Sequence, residues 1–177
     1  YAEAFNNIGN VFQDQSKLVE AIEAYTKACS IKPNYAAALL NGAEILERWN
    51  KLDELDLWLK KAVLNLEEIP SEIFFYKVKL LWRRQNFEGA CKLIKTIETD
   101  NISEKRKANF LNLKAKCFEY LKDFDGAYRC YEEMNLNAQN SAEYLKHDPE
   151  KYFLKLNSKL EKLKSGRLPK ISSSPVK

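Results

Sequence analysis

The sequence predicts an all-α fold in which four helix-turn-helix units stack as an α-solenoid, with a further helix closing the C-terminal end. Three observations predict it. Large apolar residues recur at three- and four-residue steps, which places them on one stripe of an amphipathic helix. The stripes come in pairs divided by Gln15-Ser16-Lys17, Asn50-Lys51, Gln85-Asn86 and Lys122-Asp123, breaks short enough only for a tight turn between antiparallel helices. The anchor position of the second helix recurs at Ala21, Leu55, Ala90 and Ala127, at spacings of 34, 35 and 37 residues. A register kept through four copies marks a repeat array rather than a set of unrelated helices.

The first unit covers residues 2–35. Phe5, Ile8 and Phe12 form the stripe of its first helix, and Ala21, Ile22, Tyr25 and Ala28 that of its second. Gly9 and Ala21 are small enough to let the two backbones approach closely, and Pro33 cannot continue the second helix. This stretch resembles the tetratricopeptide repeat (TPR), with Phe5, Ile8, Gly9, Phe12, Ala21, Tyr25, Ala28 and Pro33 on its eight signature positions. That pattern runs over roughly 34 residues. The resemblance implies a right-handed superhelix, with the first helix of each pair (the A-helix) lining a concave groove and the second (the B-helix) on the convex side.

The second unit, residues 36–69, repeats the register with Leu39, Ala43 and Leu46, then Leu55, Leu59 and Ala62. Leu55 takes the place of the usual small residue, and no proline matches Pro33. The third, residues 70–103, starts at Pro70, whose fixed φ suits a first helical turn. Phe74, Val78 and Leu81 make one stripe, and Phe87, Ala90, Ile94 and Ile97 the next. Ser103 is the expected N-cap of the following helix. The fourth unit, residues 108–137, carries Leu111, Ala115 and Phe118, then Phe124, Ala127, Tyr131 and Met134.

The repeats are expected to occupy residues 1–134. After Met134 the periodicity stops, and residues 135–140 read as irregular. Residues 138–164 are expected to cap the solenoid: a short helix over 141–146, then one begun by Asp148 with Pro149 in its first turn and a stripe of Phe153, Leu156, Leu160 and Leu163. An array ends in an exposed apolar edge, which such a helix covers. Residues 165–177, rich in Ser and without periodicity, read as a flexible linker or tail.

Composition narrows the function. No apolar run approaches the roughly 20 residues that span a bilayer, and a chain that starts at Tyr1 inside a repeat reads as part of a longer protein. Cys29, Cys91, Cys117 and Cys130 have no metal-ligand spacing and read as reduced, packed thiols of a cytoplasmic protein. His147 is the one histidine, which disfavours a histidine-based metal site or triad. The net charge of +4 is uneven, since residues 146–177 hold nine Lys or Arg against three Asp or Glu. A solvated basic helix and linker is the ordinary meaning of that excess. No phosphate loop, metal motif or activated nucleophile is present, so neither catalysis nor a cofactor is expected in this segment.

Under the resemblance, the exposed side of each A-helix is the place to look for binding. The candidates are Asn6 and Asn10 from the first, Asn41, Glu44 and Arg48 from the second, Phe75, Lys79, Trp82 and Arg83 from the third, and Asn112 and Lys116 from the fourth. Gln13, Leu40, Tyr76 and Tyr120 share these faces. Amides can hold an extended peptide backbone, Lys79, Arg83 and Lys116 can meet carboxylates, and Phe75 with Trp82 can seat an apolar side chain. The groove's cations are balanced by Glu3, Glu44, Glu47, Glu72 and Glu119, which argues against nucleic acid. TPR domains that clamp the C-terminal carboxylates of heat-shock chaperones use two asparagines and three basic residues. Asn10 and Asn41 fit the asparagine places, but Asn6, Glu72 and Tyr76 stand where the cations belong, which excludes that role. The expected function is a protein-interaction module, or scaffold, that receives a peptide or partner segment in its groove. The alternative is an accessory, substrate-presenting domain of a larger enzyme. Residues 131–135, 149–156 and 172–177 resemble the junction in bacterial proteins that join TPR repeats to a sulfotransferase domain; such an enzyme would lie beyond Lys177.

Overall fold

The computed structural model describes residues 1–139, and all their regular structure is helical. The helices are α1 (Ala2–Asp14), α2 (Leu18–Ile31), α3 (Ala36–Arg48), α4 (Leu52–Asn65), α5 (Ser71–Arg83), α6 (Phe87–Ile94), α7 (Glu104–Tyr120) and α8 (Phe124–Gln139). A short 3-10 turn, Thr99–Asn101, lies between α6 and α7. Residues 1–135 form one compact unit. Within it each helix from α1 to α7 packs on its neighbour in sequence, and the A-helices α1, α3 and α5 also touch one another, the layering of an α-solenoid. Residues 136–177 form a second unit, of which only 136–139, the end of α8, are described. The expected capping helices and tail lie outside the described residues.

The four turns are built alike. Ser16, Asn50, Gln85 and Lys122 all have φ between 59° and 61°, at the 34, 35 and 37 spacing of the repeat. Around each, the backbone closes the same pair of bonds: Lys17 N–H to Phe12 O with Ser16 N–H to Gln13 O, and likewise Lys51 to Leu46 with Asn50 to Glu47. These are Schellman turns, which satisfy the last carbonyls of the A-helix. None of the four residues is glycine, so each turn carries a left-handed side chain at a cost of roughly 1 kcal/mol. Two of the B-helices start with a side-chain cap absent from the sequence reading, Asn86 Oδ1 accepting from Gly89 N–H and Asp123 Oδ1 from Gly126 N–H.

The core falls into three clusters along the repeats. Tyr25 and Ala28 pack with Ala38 and Ile45; Leu55 and Leu59 with Ile73 and Leu80; and Phe75, Ile94, Phe110 and Leu111 fill the third and fourth units. A Cβ on Gly9 would overlap the Tyr25 ring, and one on Gly42 would overlap the Trp58 indole. The two glycines are therefore fixed by aromatic side chains from the following B-helices.

Several local expectations are corrected. Ile8, in the middle of its stripe, is 44 % exposed, and Phe124, at the start of its own, is 67 % exposed, because neither belongs to a buried cluster among the described residues. Ser103 makes no side-chain cap; its backbone N–H instead donates to Glu72 Oε1, so the acid of α5 caps α7. α6 stops at Ile94, and Ile97 is buried from the turn that follows. α7 begins at Glu104, before residue 108. α8 runs on to Gln139, where residues 135–139 had read as irregular; that segment lacks the Gly or Pro needed to stop a helix.

Candidate functional site

The polar side chains of the A-helices form two networks. The first joins α1, α2 and α3. Asn41 Nδ2 donates to Asn6 Oδ1 and to Asn10 Oδ1, both at 3.1 Å. The Tyr25 hydroxyl lies 2.8 Å from Asn10 Oδ1 and 3.0 Å from Gln13 Oε1, and its one proton is shared between them. Burial, then the Glu44 charge, pushes the Tyr25 hydroxyl up to about 12, so at neutral pH it is a firm donor. Asn6 is only 6 % exposed. It was expected on the open face, but it is a buried strut, because a neighbouring amide uses its oxygen.

The second network joins α3, α5 and α7. Arg106 donates from Nη2 to Glu44 Oε2 at 2.9 Å and from Nε to the Tyr76 hydroxyl at 3.0 Å. Tyr76 in turn donates to Glu44 Oε2 at 3.4 Å, and Lys105 lies 3.6 Å from the same oxygen. Burial, then Glu44, raises the Tyr76 pKa. Burial opposes the charge of Arg106, but Tyr76 and Glu44 outweigh it and hold the guanidinium protonated. One turn on, Glu47 is buried and accepts from Lys79 at 3.0 Å and Arg83 at 2.9 Å. A desolvated carboxylate needs such partners, and two charge-assisted bonds supply them.

Beside Glu47 lies a hollow of about 260 Å³, bordered by Lys79, Trp82 and Arg83 of α5 and by Asn109, Asn112, Leu113 and Lys116 of α7. Three basic residues, Lys79, Arg83 and Lys116, therefore border one cavity with a single acidic one, Glu47. A smaller hollow of about 140 Å³, which Glu44 and Arg48 help to border, adjoins it at Glu47, Lys79 and Asn109. Trp82 is half-buried and packs edge-on against Phe87, with ring centroids 4.8 Å apart.

The structure thus brings Lys79, Trp82, Arg83, Asn112 and Lys116 together at one cavity, and Asn6, Asn10 and Asn41 together in the other network. Glu44 and Arg48 lie between them. Phe75 is displaced from its expected role: it is 1 % exposed and packs edge-on against Phe110 at 5.5 Å, so it is core and cannot seat a partner's side chain. Tyr76, which shared the expected face, is likewise buried at 2 %. Of the acids expected to balance the groove, Glu44 and Glu47 pair with its cations, whereas Glu72 and Glu119 bond to Ser103 N–H and the Tyr131 hydroxyl. Arg106 and Asn109 belong to the site and escaped the sequence reading. Their signal was separation: Tyr76 and Arg106 are 30 residues apart, close to one repeat, which sets neighbouring A-helices side by side.

Cys29 is half-buried and Cys91, Cys117 and Cys130 are buried, all as free thiols. Burial raises Cys29 to about 11 and lifts Cys117 and Cys130 as well, which suppresses the reactive thiolate. Among the described residues no three His, Cys, Asp or Glu side chains converge on a metal position, and no helix is long and apolar enough to cross a membrane.

Comparison with known proteins bears on the fold. Residues 2–35 match the tetratricopeptide repeat family. Among solved structures, the chain is similar to one described as a functional characterization of Pseudomonas aeruginosa pilF, with a TM-score of 0.62 and 18 % identity over 82 % of this chain. The chain spans 65 % of that structure's length. It is also similar to the crystal structure of MamA protein, with a TM-score of 0.57 and 17 % identity over 99 % of this chain and 98 % of that one. At such identities the likeness establishes the fold, a TPR α-solenoid. No curated protein matches the chain.

Proposed function

We propose that this chain is a protein-interaction module whose A-helix groove receives an extended partner segment and seats an acidic side chain among Lys79, Arg83 and Lys116. TPR repeats generally mediate protein–protein interaction, and the first helix pair matches that family. The observation that carries the finer reading is the 260 Å³ hollow, bordered by three basic residues and one carboxylate, of which Lys79 and Arg83 bond to Glu47 and Lys116 does not. Glu47 takes up one positive charge, which leaves an excess that favours a partner's carboxylate. Asn109 and Asn112 supply amides beside it for the partner backbone.

Fluorescence anisotropy with acidic peptides selected from an array, against versions with the acids changed to amides, tests the reading. Lys116→Ala should weaken the acidic peptides about five- to tenfold, with a melting temperature near the parent's. Arg83→Ala should weaken them similarly but also lower the melting temperature, because it takes one partner from the buried Glu47 carboxylate. Binding should also fall as salt rises. Equal affinity for acidic and amide peptides, or indifference to both substitutions, would remove the proposal. The sulfotransferase-accessory reading gains no support: two of its three stretches lie outside the described residues, and the third, residues 131–135, is ordinary helix.

A further inference from the structure

Two junctions of the solenoid can be compared residue by residue on the B-helix side, because the register from one repeat to the next is fixed at 34 and then 35 residues. Between α2 and α3, Thr26, Cys29, Ser30 and Leu39 border a hollow of about 170 Å³, and Trp58, Lys61 and Asn65 of α4 wall it on one side. One repeat on, the equivalent residues are Lys60, Val63, Leu64 and Phe74. They border a hollow of about 360 Å³ between α4 and α5, and no residue of α6 walls it. The difference has a plain cause. α4 has 14 residues but α6 has 8 and ends at Ile94. The places of Lys61 and Asn65 fall at Thr96 and Asp100, past the end of α6, and Leu93, in the place of Trp58, packs into the core.

What closes the first junction is an indole. Trp58 lies over Gly42, and its Nε1–H donates to the Leu39 carbonyl at 2.7 Å. At the second junction Lys77 stands in the place of Gly42 and Phe74 in that of Leu39. The apolar part of its border is exposed, with Val63 40 % and Leu64 84 % exposed. Positive charge flanks it: Lys60 is held by Asp56 at 3.1 Å, while Lys77 is exposed and has no ion-pair partner among the described residues.

We propose that the α4–α5 hollow is a docking site for a helical segment of a partner protein that presents a tryptophan or similarly large aromatic side chain with acidic residues beside it. The partner helix takes the place of the turns that α6 lacks, and continues the interface that α4 itself makes one repeat earlier. Its aromatic ring covers Leu59, Ile73 and Phe74, and its acids face Lys77. The site shares no residue with the cavity among Lys79, Arg83 and Lys116, so it stands apart from the groove.

The probe is a capped synthetic peptide with the sequence of residues 52–65, LDELDLWLKKAVLN, which carries Trp58 in its own helical setting beside Asp53, Glu54 and Asp56. Titrated with the 177-residue chain and read by fluorescence anisotropy, it should bind saturably. Trp58→Ala in the peptide should weaken binding about tenfold or more, and so should Val63→Arg or Leu64→Glu in the chain. Lys77→Glu in the chain should weaken it about three- to fivefold. Leu64 is so exposed that Leu64→Glu leaves the melting temperature unchanged, which keeps lost binding distinct from lost folding. No binding, binding indifferent to Trp58→Ala, or binding undiminished by Leu64→Glu would overturn the proposal. Self-association of the chain that Leu64→Glu abolishes would assign the hollow to a second copy, and would overturn it too.

Discussion

The amide network between α1 and α3 and the charged network between α3, α5 and α7 solve one geometric problem with different chemistry. Both join residues about one repeat apart: Asn6 with Asn41 at a separation of 35, Glu47 with Lys79 and Arg83 at 32 and 36. Stacked A-helices bring such residues side by side whatever their chemical type. In the first network the amide oxygens are consumed internally, which makes a closed, neutral strut. In the second, the buried Glu47 holds two cations, Lys79 and Arg83, and a cavity that Lys116 also borders lies beside them. The solenoid therefore fixes where polar groups meet, and the residue types decide whether the meeting place is structural or open to a partner.

The largest test of that contrast removes the aromatic ring under each network. Tyr25→Ala and Phe110→Ala, both fully buried, should each cost about 3–5 kcal/mol in chemical denaturation. Values near 1 would mean that the two ends of the solenoid unfold separately. A smaller effect is expected from Glu47→Ala. Losing the shared acceptor should cost about 1–3 kcal/mol, limited because Arg83 is nearly half exposed and stays solvated. High salt should shrink this cost. Should 1 M salt leave it intact, the network would owe its worth to packing rather than charge.

The neutral strut should behave otherwise. Tyr25→Phe removes the donor to Asn10 and Gln13 at about 1 kcal/mol, and salt should not alter it. The pH dependence has a definite sign. Tyr25 is raised from 10.0 to about 12 in the fold, so its contribution is complete below pH 10 and is lost as pH rises through about 12. Denaturation of the parent and of Tyr25→Phe between pH 9 and 12 should therefore converge. Asn41, which looks like a simple groove probe, donates twice within the strut, so Asn41→Ala should lower stability as well as any binding. Lys116 is the cleaner probe of the groove.

Much of the fold was legible because it depends on periodic signals: apolar stripes, the polar breaks, and the anchor series from Ala21 to Ala127. The site was legible to the level of helix face and no further. Phe75 and Tyr76 sit beside Phe74 on the same helix, and which of them faces outward depends on the angle at which α7 packs, through Phe110. Single-helix periodicity carries no record of that angle. Asn6 and Asn10 share a face, yet only the reach of Asn41 across from α3 buries the first. Phe12 read as core from its consensus position, but it is half-buried, while the interior is held by Tyr25, Phe75 and Phe110. The short α6, which opens the outer hollow, was hidden because Ile97 kept the apolar register after the helix had ended.

The smallest expected effect tests whether the repeats are equivalent at the turns that join their helices. Ser16, Asn50, Gln85 and Lys122 share one left-handed geometry, with φ within a degree of 60°. A non-glycine residue there carries a steric cost that glycine lacks, offset by the extra chain entropy that glycine brings to the unfolded state. Asparagine tolerates the left-handed region through its short polar side chain, so its cost is least. Gln85→Gly and Lys122→Gly should therefore stabilise the chain by about 0.5–1 kcal/mol, Ser16→Gly by somewhat less, and Asn50→Gly by almost nothing. Thermal denaturation of the four single variants reads this order directly. If Asn50→Gly gained as much as Gln85→Gly, the turns would differ in a way their shared backbone geometry does not explain. If Lys122→Gly alone gained nothing, the turn into α8 would answer to something other than the repeat.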